Sequence, residues 1–371
     1  MYDFFISSSP DTHNSLLATA VYKDIFQTAA WSNTARTTGW GESLFFSLID
    51  KSSGQTIISA VGNINKINRL GNYLYILHGP IFAEHLLAGP IGAPNKTWGN
   101  VNFANQSAKE AAESFLNGLK EYGKQQNLVA VSIEALADEA CNFSQVLTAM
   151  QFANQKRNIL PVHPLFMDLT INEEELLART EKNTRYYIRY AEKQGVQIEF
   201  HYSTAQESEQ TRKLISDNFE FFKSCAQEKG QKIPSLNFFL ETVKQFEPNP
   251  NIFLAIARHE GKIVSANFSQ IFGDWAGSYY TFNGRQFSKL RASYLLKWAT
   301  IIEAQKHGAK VFDMWGHMPD ISENHPEYGY GQFKRGFSPV ARTFAGRKTL
   351  VLNKQKFWLW QNWSEFKRKL T

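Results

Sequence analysis

Apolar runs at 45–49 and 57–58 flank a polar stretch, which predicts two strands over 45–59 joined by a turn at 50–54, and a further strand is read at 74–76. Residues 108–126 change to helical spacing, with Ala111, Phe115, Leu119 and Tyr122 on one stripe. The short apolar run 128–133 then suits a buried strand. The same order returns later. Strands are predicted at 252–257, 262–272 and 278–282, with a turn at Glu260 and Gly261, followed by a helix over 292–307 and a strand over 311–315. In that helix Tyr294, Leu295, Trp298, Ile301 and Ile302 share one face. Helices alternating with buried strands are an α/β signature, and the repetition implies two similar halves.

Pro161 and Pro164 flank His163 between the halves, and closely spaced prolines mark an extended connection. A chain of 371 residues is a natural length for two domains. The expected division is a first domain over 1–163, a second over 164–353 and a basic aromatic helix over 354–371. No run of eighteen apolar residues suggests a membrane span, and residues 1–10 lack the basic and apolar regions of a secretory signal, so a cytoplasmic address is expected. Cys141 and Cys225 are the two cysteines and have no metal-ligand spacing, which argues against a disulfide scaffold and a structural zinc site.

Charge sharpens the picture. Residues 331–371 hold ten Lys or Arg and one acid, Glu365, more than the whole chain's surplus of +6. Such a concentration suits an acidic partner such as nucleic-acid, nucleotide or lipid phosphates; a solvated basic face is the plainer reading. Residues 173–195 read as one helix on which Lys182, Arg185, Arg189 and Lys193 form a cationic stripe bordered by Tyr186 and Tyr190. Leu176, Leu177, Tyr187, Ile188 and Ala191 lie opposite. An anionic ligand would relieve the stripe's self-repulsion, although a solvent-facing surface would carry it as well.

Lys334 and Arg335 lie among glycines and aromatics in 329–337, where a lysine can aim its charge at an oxyanion. Asp313 lies in a predicted strand, and α/β sites gather at strand ends. Glu134, ending the 128–133 strand, is a candidate base or an ion-pair partner. His317, Asp320, Glu323 and His325 are metal-type residues in a proline-bounded loop that matches no ligand pattern, so a structural role is expected. There is no Gly-x-Ser-x-Gly elbow, Walker loop or dinucleotide fingerprint. At the C-terminus Trp360, Trp363, Phe366 and Leu370 recur at helical spacing among basic residues, a pattern for a reversible membrane contact or for a helix packed on the protein body.

Taken in order, several segments resemble the Fem (FemABX) aminoacyltransferases. They are Gln27-Thr-Ala-Ala-Trp31 with Gly39-Trp40, Leu74-Tyr-Ile-Leu-His-Gly-Pro80, Ile133-Glu134, Met167-Asp-Leu169, the run 182–196, Ser293-Tyr-Leu-Leu-Lys-Trp298, Val311-Phe-Asp-Met-Trp-Gly316 and Gly331-Gln-Phe-Lys-Arg-Gly-Phe337. The resemblance implies an α/β fold of two GNAT-like domains with mixed central sheets, here without the coiled-coil arm of some relatives. It implies transfer of an aminoacyl group from aminoacyl-tRNA to an amine of a peptidoglycan precursor, nucleotide-linked or lipid-linked, with no further cofactor. By analogy Lys334, after Phe333, is the active-site lysine. Arg185 and Arg189 would bind the precursor's phosphates or the tRNA, Tyr280 matches a substrate-channel aromatic, and Arg36 stands where many relatives carry lysine.

Chemistry agrees with this, since aminolysis of an ester needs a cation for the oxyanion and a proton acceptor, for which Glu134 and Asp313 are the candidates. The rival readings are a CoA-dependent N-acyltransferase and a non-catalytic module binding nucleic acid or anionic lipid. Residues 285–291, at the place of a pyrophosphate-binding turn, contain no glycine, which weighs against CoA.

Overall fold

The computed structural model describes residues 1–20, 24–88, 101–319, 321–325 and 327–370, with no side-chain description for 68 and 363–370. Asp320 lies outside the described residues. The chain forms two compact units: one gathers the described residues up to Val162 together with Thr343 onward, and the other holds His163–Arg342.

In the first unit the strands are β1 (Tyr2–Ser7), β2 (Glu42–Asp50), β3 (Gln55–Ile67), β4 (Gly71–Leu77), β5 (Ile81–Phe82), β6 (Ala130–Glu134) and β7 (Ala153–Asn154). The second unit contributes β8 (Pro164–Asp168), β9 (Gln197–Tyr202), β10 (Ile252–His259), β11 (Lys262–Phe272), β12 (Trp275–Asn283), β13 (Val311–Gly316) and β14 (Val340–Ala341), after which β15 (Arg347–Val351) returns to the first. The sheet orders are β1-β2-β3-β4-β6-β15-β7, with β5 on β3, and β14-β8-β13-β12-β11-β10-β9. Each sheet is mixed, with one parallel pair among the described strands: β4 with β6, and β12 with β13.

Each parallel pair needs a helical crossover, and the sequence supplies it. Helix Gln106–Gln125 precedes β6; Asn105 caps it by accepting from the Ala108 amide, and it buries Ala108, Ala111, Ala112, Phe115, Leu116 and Leu119. Gly118 lets the Phe4 ring of β1 lie directly on this helix, where a Cβ would collide with the ring. Helix Ala292–Lys306 precedes β13 in the same way and buries Leu295, Leu296, Trp298, Ile301 and Ile302.

Two expectations are corrected. Residues 343–353 belong to the first unit, because β15 pairs with β6 from Arg347↔Glu134 to Val351↔Ala130. Residues 173–195 are two helices, Glu173–Arg179 and Lys182–Lys193, parted where Thr180 and Glu181 become extended. Thr180 is buried and its hydroxyl donates to Leu177 O, while the Glu181 amide donates to Gly336 O, so tertiary contacts outcompete helix continuation. Residues 329–337, which carry Lys334 and Arg335, are largely helix Tyr328–Arg335.

Candidate functional site

The second unit's parallel pair is short. β12 and β13 pair only from Trp275↔Val311 to Gly277↔Asp313, then part, while β12 runs on against β11 to Asn283. The β11–β12 ladder steps from Ser269↔Ser278 to Phe268↔Tyr280, so Tyr279 is an extra, bulged residue. On the other strand Trp315 has φ 66°, a conformation costly for a bulky residue, and the Tyr279 ring meets its indole edge-on at 4.4 Å. Asp313 anchors this bend: its Oδ1 accepts from the Trp315 amide at 2.6 Å.

Two adjoining cavities sit here, of about 360 and 440 Å³. Tyr279, Tyr280, Trp315 and Lys232 line the first, Tyr294, Phe333, Glu327 and Arg285 the second; Lys229, Gln231 and Tyr330 line both. Aromatic walls with a few ionic groups are what a ligand site needs. Burial raises the Tyr280 hydroxyl to about 12, and burial lowers the Lys229 ammonium.

Lys334 is the buried cation of this region. Its helix is held by Phe333 and Phe337 against Tyr294, at 4.9 and 6.3 Å, and by Gly336, where a Cβ would strike Thr184 Oγ1. The side chain is 2 % exposed. Its Nζ donates to Gly316 O at 2.5 Å and lies 4.3 Å from the centre of the Tyr330 ring. Burial pulls its ammonium down to about 7, against the opposing pull of Asp313 and Glu327. The amine therefore exchanges its proton near neutrality instead of staying fully charged.

The other sequence-predicted residues lie as follows. Asp313 is buried in the same unit and within electrostatic reach of Lys334. Tyr280 and Phe333 line the cavities. Glu134 belongs to the first unit; its carboxylate accepts from the amides of Ile159 at 3.1 Å and Leu160 at 3.0 Å and from the Tyr75 hydroxyl. Burial raises it to about 7, with the two amides and Arg347 opposing. Arg36 is exposed near the end of helix Ala29–Thr37, also in the first unit.

The cationic stripe does not survive as one surface. Arg185 turns its guanidinium onto the carbonyls of Ala178, at 2.9 Å, and Thr180, closing the end of the preceding short helix, whereas Lys182, Arg189 and Lys193 stay exposed. Neither Arg185 nor Arg189 lines the two cavities. Among the described residues no metal-type cluster forms; His317 bonds His163 O through Nδ1, and His325 accepts from the Glu327 amide.

Sequence reasoning missed Lys297, Lys229, Tyr330 and Glu327. For Lys297 the signal was present: it is a lysine between Leu296 and Trp298 on the buried side of an apolar helix.

The FemAB family model matches residues 256–364, a stretch that includes β12, β13 and Lys334. The aminoacyltransferase FemB of Staphylococcus epidermidis is 26% identical over 88 residues, which is 24% of this chain and 21% of the relative, so the match spans about a fifth of that protein. The crystal structure of FemX superposes with a TM-score of 0.78 at 16% identity and covers 96% of this chain and 99% of that one. L-PGS from Bacillus licheniformis gives 0.52 at 10% identity, covering 95% and 96%, and a tandem GNAT protein from the clavulanic acid pathway gives 0.50 at 10%, covering 95% and 98%. These structures bear out the expected fold class, two GNAT-like domains with mixed sheets. Residues 256–364, which include Lys334, are thus similar in sequence to the FemAB family, and the FemX fold is shared along nearly the whole chain.

Proposed function

We propose that the protein is an aminoacyltransferase that moves an aminoacyl group from aminoacyl-tRNA to an amine of a peptidoglycan-precursor stem peptide. The observation that carries this is Lys334: a buried amine, titrating near neutrality, beside aromatic cavities at the opening of a parallel strand pair. In this reading the uncharged acceptor amine attacks the ester carbonyl and a C–N bond forms. The Lys334 ammonium faces the developing oxyanion, and the C–O bond to the ribose then breaks. The nitrogen gives up its proton and the leaving ribose oxygen gains one, so the protons balance. Asp313 holds the bent strand and favours the charged form of Lys334. Glu134 is read as a structural carboxylate, since both its oxygens accept hydrogen bonds from protein groups.

Neither a metal nor a covalent enzyme intermediate enters this scheme, and the donor is a substrate rather than a resident cofactor. Exposed Lys182 and Arg189 are left to meet phosphates of the tRNA or of the precursor. We assign the helix Lys354–Leu370 a peripheral contact with anionic lipid. Its Trp360 packs on Tyr73 at 4.6 Å, while Trp358 and Leu359 remain 65% and 47% exposed beside Lys354. No helix among the described residues is long and apolar enough to cross a membrane.

The test is mass spectrometry of a muropeptide precursor incubated with the protein, tRNA, synthetases and amino acids. A gain of one amino-acid residue is expected, and it should depend on tRNA. Acylation by an acyl-CoA without tRNA would support the ordinary N-acyltransferase instead.

A further inference from the structure

A second lysine is buried beside the first. Lys297, on helix Ala292–Lys306, is 4 % exposed, and its Nζ lies 5.6 Å from the centre of the Phe312 ring. It forms no ion pair with a carboxylate among the described residues, an expensive condition for an ammonium inside a protein. The two amines are unequally provided for. Lys334 has the Gly316 carbonyl, the Tyr330 ring and the nearby charges of Asp313 and Glu327. Lys297 has an aromatic ring, the same Asp313, and the charge of Lys334 acting against it. His317, which feels the charge of Lys334, and Tyr330, whose hydroxyl burial raises, are the other titratable groups beside this pair, and neither supplies a second anion near neutrality.

We propose that Lys297 is the uncharged partner of Lys334, a positioning residue that leaves Lys334 the one cation of this buried centre. Where two buried amines compete for one buried carboxylate, the one with fewer polar partners gives up its proton first. Burial foremost, and then the charge of Lys334, lower Lys297 to about 7, which agrees with this division. As pH falls through that range Lys297 gains its proton, and the centre acquires a second, self-repelling charge. The proposal rests on Lys334 being the reacting cation, but its test does not require transfer activity.

The test is an NMR pH titration of the protein labelled with [ε-13C]lysine, with Lys297→Met and Lys334→Met used to assign the two signals. In the wild type Lys297 should titrate near 7. In Lys334→Met its midpoint should rise by about one pH unit or more, while Lys334→Arg, which keeps the charge, should leave it near the wild-type value. Lys297→Met should leave the Lys334 midpoint in place and remove the Lys297 inflection near 7 from the kcat/KM profile, while the acid limb set by the acceptor amine persists. A Lys297 signal that titrates in the ordinary lysine range, or that does not move in Lys334→Met, would overturn the proposal. If transfer is absent but the Lys297 midpoint shifts, the aminoacyltransferase reading fails and the pairing stands; the reverse pattern fails only the pairing.

Discussion

The two units repeat one plan and treat its weak point differently. Each has a parallel strand pair carrying a buried acid on its second strand, Glu134 of β6 and Asp313 of β13. In the first unit that region is closed by the chain's own polar groups. The β3–β4 ladder stops at Gly62↔Ile76, and beyond it the Gln27 side chain accepts from the Val61 amide at 2.8 Å and donates to Leu77 O at 2.6 Å. The β4–β6 pairing persists to Leu77↔Glu134, and Glu134 is occupied by Ile159, Leu160 and Tyr75. In the second unit the strands part after Gly277↔Asp313, and the gap is lined by Tyr279 and Trp315 beside two cavities. One plan thus gives a sealed scaffold in one place and, in the other, an open aromatic-lined gap that we propose as the reaction site.

The sharpest way to break this contrast is Lys334→Met. Losing an oxyanion donor should lower turnover about 10²- to 10³-fold while the protein stays folded. The same change should stabilise the protein at neutral pH. The native amine titrates near 7 and the unfolded one near its ordinary 10.5, so the unfolded chain binds more protons between these values and stability rises with pH across that window. Methionine should flatten the slope, with a gain at pH 7 on the order of a few kcal/mol, read from denaturant melts at several pH values.

Next in size is Gln27→Ala. It leaves the Val61 amide and Leu77 carbonyl unpaired in a buried region and should cost about 2–4 kcal/mol in urea denaturation, with little change in KM for the donor.

Glu134→Gln should cost less, about 1–2 kcal/mol, and turnover should be retained. Its signature is pH dependence. Because the native carboxyl is raised to about 7 from 4.5, its contribution is complete below 4.5 and lost as pH rises through 7, a slope the Gln variant should lack.

The smallest effects separate the two arginines of the broken stripe. Arg185→Ala should lose about 1 kcal/mol of stability because it frees the carbonyls of Ala178 and Thr180. Arg189→Ala should stay within about 0.5 kcal/mol in stability and weaken the salt dependence of substrate binding.

What the sequence could show was local. The hairpin of β2 and β3, helices Gln106–Gln125 and Ala292–Lys306, and strand β13 all follow from periodicity and turn residues, because their apolar faces repeat at the period of the element. Lys334 and Asp313 were legible as residues, through their setting and through the family resemblance. The features that define the site were not. The break at Thr180 and Glu181 depends on a bond to Gly336, more than 150 residues away. The return of β15 to the first sheet is decided by its pairing with β6. Arg185 looked like a free cation because its acceptors are carbonyls, which carry no sequence signal. Lys297 was passed over although a charge on a buried helix face is an anomaly, and its meaning depends on Lys334 approaching from another element.

The most direct measurement of the central claim compares Lys334→Met and Glu134→Gln in the muropeptide mass-gain assay, using matched amounts of folded protein. The open second-unit site predicts that Lys334→Met loses the one-residue product while Glu134→Gln still forms it. Product from Lys334→Met at the wild-type rate, with none from Glu134→Gln, would contradict it and move the chemistry to the first unit.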